Sequence, residues 1–254
     1  AIYDRNGELL VFDQPAYDIV FVPREVEQLD TLNFCELLNI SRLDFDNRMA
    51  DVKNRHKNPG YSRYTPQVFM TQLSAEECGI FRENLFKFPG FSVQRRTVRR
   101  YSYNAAGHLL GDIGEVSVRD MAEDEYYRRG DFIGKQGVER AYEKQLRGVK
   151  GVEVLLRDAH GRIQGRYMDG KLDKAPVPGK DLKLSIDINL QLLGERLLQG
   201  KIGSIVAIEP ATGEVLCMVS SPSFDPQSMV GRQRGKNHQS LERDPRKPLL
   251  NRAI

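Results

Sequence analysis

Apolar and polar positions alternate over residues 2–22, the pattern of strands, with Asn6-Gly7 as a turn before Glu8-Leu9-Leu10-Val11-Phe12. A second strand is predicted over 17–22, closed by Pro23. From residue 30 to about 53 the spacing turns helical and puts Leu32, Cys35 and Leu38 near one face, until Pro59-Gly60 breaks it. Ser74-Ala75-Glu76-Glu77 reads as a capping box, the serine hydroxyl taking the amide of Glu77 while the glutamate reaches back. The helix behind it is expected to stop at Pro89-Gly90. At ~100° per residue Cys78, Phe81, Leu85 and Phe88 share a stripe, whereas Ile80 and Phe86 fall off it. Off-stripe apolar residues ordinarily pack against another element. Otherwise they mark a partner surface, and that makes Ile80 and Phe86 the candidate partner-binding residues.

Downstream, 91–103 is strand-like and 105–110 a short helical turn closed by Gly111. Helices are predicted over 119–129 and 137–147, and a hairpin over 152–157 and 163–167 with a His160-Gly161 turn. Pro176-Val177-Pro178-Gly179 ends both periodic patterns at once and is the expected domain boundary, giving 1–175 and 176–254. Residues 182–186 follow as a strand. Asp187 can cap a helix in which Leu190, Leu193 and Leu197 are spaced for burial. Two apolar runs, 203–208 and 214–219, flank an Ala211-Thr212-Gly213 turn as an antiparallel hairpin, at least one strand of which is expected to be buried on both faces. An unpaired edge of that hairpin could recruit a second copy of the chain.

Composition narrows the classes. A length of 254 residues, 40% hydrophobic and 29% charged, is that of a soluble globular protein of one large or two ordinary domains. No apolar run approaches a membrane span. A net charge of +3 gives no case for nucleic acid. The basic run Arg95 to Arg100 reads as a solvated strand edge, where charge discourages aggregation. Cys35, Cys78 and Cys217 lie far apart without a CxxC pair, which suggests separately buried thiols.

Candidate chemistry is sparse. His56, His108, His160 and His238 have no metal-ligand spacing, so no metal or cofactor is expected. Gly134-Lys135-Gln136-Gly137 is too short for a phosphate-cradling loop, and there is no GxSxG elbow. Glu123, Asp124 and Glu125 are consecutive and cannot all face one cleft. No residue is assigned a catalytic role.

Several segments, taken together and in order, resemble class B penicillin-binding proteins. They are Ile2-Tyr3-Asp4-Arg5-Asn6-Gly7, Phe88-Pro89-Gly90-Phe91-Ser92-Val93 and His108-Leu109-Leu110-Gly111-Asp112-Ile113-Gly114, then Gly134-Lys135-Gln136-Gly137-Val138-Glu139 continuing to Gly148. Pro178-Gly179-Lys180-Asp181-Leu182 with Ser185-Ile186-Asp187 and Leu190-Gln191, the stretch 203–226, and Pro248 to Ile254 complete the series. The Phe88-Pro89-Gly90 station and the spacing favour the branch that serves cell elongation over the septal one. Departures are local: Asp112-Ile113 stands where Tyr-Val is usual, Gly194 and Cys217 where Ala is usual, and the 99–103 stretch lacks the usual proline.

The resemblance implies an α+β fold: an elongated, multi-subdomain pedestal of the dimerisation-domain type, followed by the first helix and β-hairpin of a transpeptidase domain. It implies a non-catalytic role at the periplasmic face of the inner membrane, with the anchor outside this chain. The implied partners are a MreC-like scaffold protein and a RodA-like glycan polymerase. The full-length protein would cross-link peptidoglycan stem peptides through an acyl-serine and bind penicillin. That chemistry needs an SxxK box, in which lysine activates the serine hydroxyl, together with SxN and KTG boxes. No serine here has lysine three positions on, no KTG or KSG occurs, and Ser102-Tyr103-Asn104 precedes the domain that would use it. The chain is expected to end just before the nucleophile. The rival readings are a septal relative, and an independent glycan hydrolase needing two carboxylates roughly 5–9.5 Å apart across a cleft.

Overall fold

The computed structural model describes residues 1–26, 28–55, 58, 61–127, 131–157 and 163–254. The opening alternation forms β1 (Ile2–Tyr3) and β2 (Leu9–Phe21). β2 is one continuous strand where two were expected; Pro15 falls in an exposed stretch, and a strand tolerates proline only where its missing amide is not needed. The predicted helix over 30–53 is two, α1 (Thr31–Leu37) and α2 (Arg42–Lys53), capped by Asp30 and Ser41. Asn39, at φ 49°, turns the chain between them, and within α1 Leu32 is exposed whereas Cys35 is buried. Then come β3 (Gln67–Leu73) and α3 (Ala75–Glu83), which starts at the expected Ser74–Glu77 capping box. A 3-10 turn, Leu85–Lys87, leads into β4 (Phe91–Tyr101). The Pro59-Gly60 break lies outside the described residues.

Shorter elements follow: α4 (Gly107–Leu110), β5 (Ile113–Glu115), α5 (Val118–Glu123), β6 (Phe132–Gly134), α6 (Gly137–Ala141) and α7 (Glu143–Leu146). The helices expected over 119–129 and 137–147 are thus shorter or split, the second at Tyr142. β7 (Leu155–Arg157) and β8 (Ile163–Arg166) pair antiparallel as expected, their His160-Gly161 turn lying outside the described residues. β9 (Leu182–Lys183), α8 (Ile188–Leu197), β10 (Gly203–Ile208), β11 (Val215–Ser221) and α9 (Arg234–Arg243) complete the α+β chain.

The chain forms two compact units, one from Ala1–Asp13 and most of the chain after Arg99, the other essentially Gln14–Val98. In the second unit β2 pairs antiparallel with β3, Tyr17 facing Leu73 and Phe21 facing Gln67. Its core is aromatic. Phe34 lies 4.7–5.7 Å, centroid to centroid, from Phe45, Phe69, Phe81, Phe88 and Phe91, mostly edge to face. The predicted stripe of α3 supplies Cys78, Phe81 and Phe88 to the interior.

In the first unit β1 pairs antiparallel with β2 and parallel with β9, Ile2 facing both Val11 and Leu182. α8 packs on β11, but through a different face from the one expected. Ile188, Gln191 and Gly194 are buried, whereas Leu193 and Leu197 are exposed. Two contacts set the face. The Gln191 amide meets the Met218 backbone both ways, at 2.9 and 3.0 Å, and a Cβ on Gly194 would lie 2.8 Å from Val219 Cγ2. Of the hairpin strands, β10 exposes Val206 and Ile208, while every residue of β11 is buried or half-buried, so β11 is the strand covered on both faces.

Asp4 ties the start of the chain to this assembly. It is 0% exposed and accepts the amides of Asn6 at 2.7 Å, Glu8 at 2.8 Å and Ile188 at 3.2 Å. Burial disfavours its charge, but these amides prevail and hold the carboxyl below its ordinary range. A depressed folded-state pKa stabilises the fold above the unfolded value and loses that contribution as pH falls through it. Asp4→Asn is therefore expected to cost about 2 kcal/mol at pH 7, with the penalty shrinking below about pH 4. Urea unfolding across that range checks this; a penalty independent of pH would contradict it.

Candidate functional site

The second unit presents the two candidate partner residues outward. Ile80, on α3, is 48% exposed, and Phe86, in the 3-10 turn after it, is 80% exposed. The local hydrogen bonds explain why the turn holds. Asn84 Nδ2 donates to the Ile80 carbonyl at 3.0 Å, and Lys87 Nζ donates to Asn84 Oδ1 at 2.9 Å. The same ammonium lies 5.6 Å from the Phe86 ring centroid, a cation–π contact that leaves most of the ring in water. Phe81 and Phe88 point into the core on either side, so α3 and its turn divide their apolar residues between interior and surface.

In the first unit the two glycine-bearing segments, 107–114 and 134–139, are pressed backbone to backbone. A Cβ on Gly111 would lie 2.0 Å from the Gln136 carbonyl oxygen, and one on Gly137 would lie 2.4 Å from that of Leu109. Only glycine permits this approach, and Gly111 and Gly137 also hold positive φ, 79° and 59°. Tyr101, buried beside them, donates its hydroxyl to the Gly111 carbonyl at 3.2 Å, and burial pushes that phenol far above its ordinary pKa.

Three ion pairs, made by Arg99 and Arg234, lock the arrangement. Arg99 Nε donates to Glu139 Oε1 at 2.7 Å with both side chains buried, and Arg99 Nη1 donates to Asp13 Oδ1 at 3.0 Å. Burial works against the guanidinium charge, but Glu139 and Asp13 more than offset it and raise the Arg99 pKa. Asp112, fully buried, accepts from Arg234 through Nε at 3.0 Å and through Nη2, and from Gln136 Nε2 at 3.3 Å.

The basic run around Arg99 is thus only partly a solvated edge. Arg95 and Arg100 are exposed, Arg96 pairs with Asp18 at 3.2 Å, and Arg99 is internal. Strand parity gave no clear signal: Arg99 shares that of the buried Phe91 and Tyr101 but also that of the exposed Arg95 and Thr97. Asp112–Arg234 had none either, because its partners are 122 residues apart.

Among the described residues the acids and thiols singled out in the sequence are not brought together. Glu123, Asp124 and Glu125 serve the helix or exposed surface; Asp124 pairs with Arg147 at 2.7 Å. Cys35, Cys78 and Cys217 are separate, free and buried, and burial raises the thiol pKa of the first two. Among the described residues no group of three His, Cys, Asp or Glu side chains could hold a metal ion. What the geometry offers is a glycine-packed backbone contact in the first unit and an exposed apolar pair in the second.

The family follows from the order of these packed segments. The chain matches the Penicillin-binding Protein dimerisation domain over residues 1–184, and it belongs to that family. It is similar to Peptidoglycan D,D-transpeptidase MrdA of Acinetobacter baumannii, 34% identical over 258 residues covering 100% of this chain and 37% of that protein. MrdA of Salmonella typhimurium is 35% identical over 259 residues, 99% of this chain and 40% of that protein. Among solved structures, the complex between Penicillin-Binding Protein (PBP2) and MreC from Helicobacter pylori superposes with a TM-score of 0.76 and 25% identity, covering 99% of this chain and 46% of that one. The chain therefore spans 37–40% of the length of these curated relatives.

The Arg99–Glu139 pair yields a direct test. Glu139→Ala leaves a buried guanidinium without its closest partner and is expected to destabilise by about 3–5 kcal/mol. Replacing both residues together, Arg99→Met with Glu139→Leu, is expected to recover most of that loss. Denaturant midpoints of the three proteins check it.

Proposed function

We propose that residues 1–175 form the pedestal of a peptidoglycan D,D-transpeptidase and that 176–254 begin its penicillin-binding domain. The pedestal positions the catalytic domain and binds the scaffold of the elongation machinery. The observation that carries the binding role is the exposure of Phe86, 80%, beside a core that buries every other phenylalanine of its cluster. A large aromatic held outward on a hydrogen-bonded turn, with an apolar neighbour on the preceding helix, is the kind of anchor that dominates protein interfaces. Support for the partner class comes from the likeness to a penicillin-binding protein solved as a complex with MreC.

In this reading Ile80 and Phe86 enter an apolar recess on a MreC-like scaffold protein, with Lys87 at the rim. A RodA-like glycan polymerase is the second partner, on the periplasmic side of the inner membrane. The full-length protein joins stem peptides through an acyl-serine. This chain carries the scaffold of that chemistry, while the SxxK serine and its lysine are not among its residues. The β10–β11 hairpin stands as a two-stranded sheet among the described residues; Gln191 and Asp187 already take the Met218 and Leu216 backbone along β11, so a second copy would pair at the β10 edge.

Two measurements test the reading. Phe86→Asp is expected to weaken binding to the MreC-like partner at least tenfold by calorimetry, with an unchanged far-ultraviolet spectrum and thermal midpoint. Binding unaffected by Phe86→Asp and Ile80→Asp together would remove both residues from the interface. Separately, a fluorescent penicillin is expected to leave the purified chain unlabelled after denaturing electrophoresis. A covalent band would overturn the assignment of the nucleophile to residues outside it.

A further inference from the structure

The segment 107–112 has partners that its place in the dimerisation domain does not require. Three of its residues reach stretches beyond residue 184, where the family match ends. Gly107 lets the chain touch Phe224, since a Cβ there would lie 2.7 Å from the Phe224 carbonyl oxygen. Asp112 holds Arg234. His108 Nε2 lies 2.8 Å from the carbonyl oxygen of Pro248, and its ring meets Phe224 edge to face at 5.1 Å. A carbonyl oxygen only accepts, so Nε2 carries the proton and donates. The imidazole is largely buried, and its pKa is lowered by that burial. A neutral ring with a defined tautomer results.

The stretch that His108 holds is fixed at a second point. Ser220, at the end of β11, accepts the Arg252 amide at 3.0 Å and donates its hydroxyl to the Leu250 carbonyl at 3.2 Å. Arg252 in turn closes the turn on itself, its guanidinium donating to the carbonyls of Arg246 at 2.7 Å and of Lys247 and Leu250 at 3.2 Å. Residues 246–253 form no regular element, and these side-chain bonds are what give the stretch one conformation. Among the described residues its outside supports include Ser220 in the hairpin, Asp244 at the end of α9, and His108.

We infer that His108 is a positioning residue: through Pro248 it seats the 246–253 turn, and with it the chain that leads toward the reactive serine. This rests on the transpeptidase reading above for its last step, and on geometry alone for the seating. A change in the dimerisation domain that moved α4 would then be felt at the nucleophile without any contact between the two.

The test separates those parts. In the 254-residue chain, His108→Leu keeps the bulk and removes the donor, while His108→Gln restores a donor. Amide exchange at Arg252 and Ala253 is expected to rise about fivefold in His108→Leu and to return to within about twofold of the parent in His108→Gln. In the full-length protein, acylation by a fluorescent penicillin is expected to slow by a similar factor, with the same rescue. Unchanged exchange at Arg252 in His108→Leu overturns the seating. So does exchange that rises equally in β1 and α8, because His108 would then be a general core residue. Raised exchange with unaltered acylation overturns the link to the nucleophile. A parent full-length protein that takes up no penicillin removes the transpeptidase reading and leaves the exchange result to decide the seating.

Discussion

One buried carboxylate ties the start of the first unit to α8. Asp4 collects amides from its own turn, at Asn6 and Glu8, and from Ile188 at the start of α8. Without it, three amide donors near the core would need other partners, and a buried donor left unpaired costs more than a hydrogen bond returns. Its neighbours repeat the connection. The Arg5 amide donates to the Ile186 carbonyl at 2.9 Å, and Asn6 Nδ2 to Asp187 Oδ2 at 3.1 Å. The Arg5 guanidinium reaches Glu214 at 3.4 Å. The short segment at the start of the chain is thereby a component of the fold that closes nearly two hundred residues later, and the pairing of β1 with β9 is its backbone expression.

This explains what the family-like segments are for. They are not catalytic motifs displaced from an active site. Each supplies a group that a long-range junction needs: Asp4 for the α8 amide, Gly111 and Gly137 for backbones pressed together, Glu139 for a buried guanidinium, and Gln191 for the Met218 backbone.

Local rules read much of this from the sequence. Ser74 with Glu77, Asp187 as a helix cap and the stripe of Cys78, Phe81 and Phe88 are set by neighbours within a turn or two of helix, and they appear where spacing puts them. The same stripe put Ile80 and Phe86 off the core face, but it could not choose between packing on another element, the ordinary outcome, and the exposure they show. The errors arose where tertiary partners decide. Leu193 and Leu197 have textually correct spacing for burial, yet the strand beneath α8 accepts Gln191 and Gly194, and helical periodicity carries no knowledge of that strand. Arg99 looked like surface because its charge is neutralised by Glu139, 40 residues away. His108 looked unremarkable because its partner is a main-chain carbonyl, an acceptor that every residue type provides.

The Asp112–Arg234 pair bears on how such proteins can be recombined. The ion pair is shared between two stretches 122 residues apart in the chain. A chimera taking 108–114 from this chain and the remainder from a relative without a matching arginine would place a carboxylate in the interior with no cation beside it. The reverse exchange would strand the guanidinium of residue 234, though at a partly exposed position where water can serve it. Drift toward the pair is thus easier in one order, arginine before aspartate, and the two stretches are best swapped between relatives as a unit.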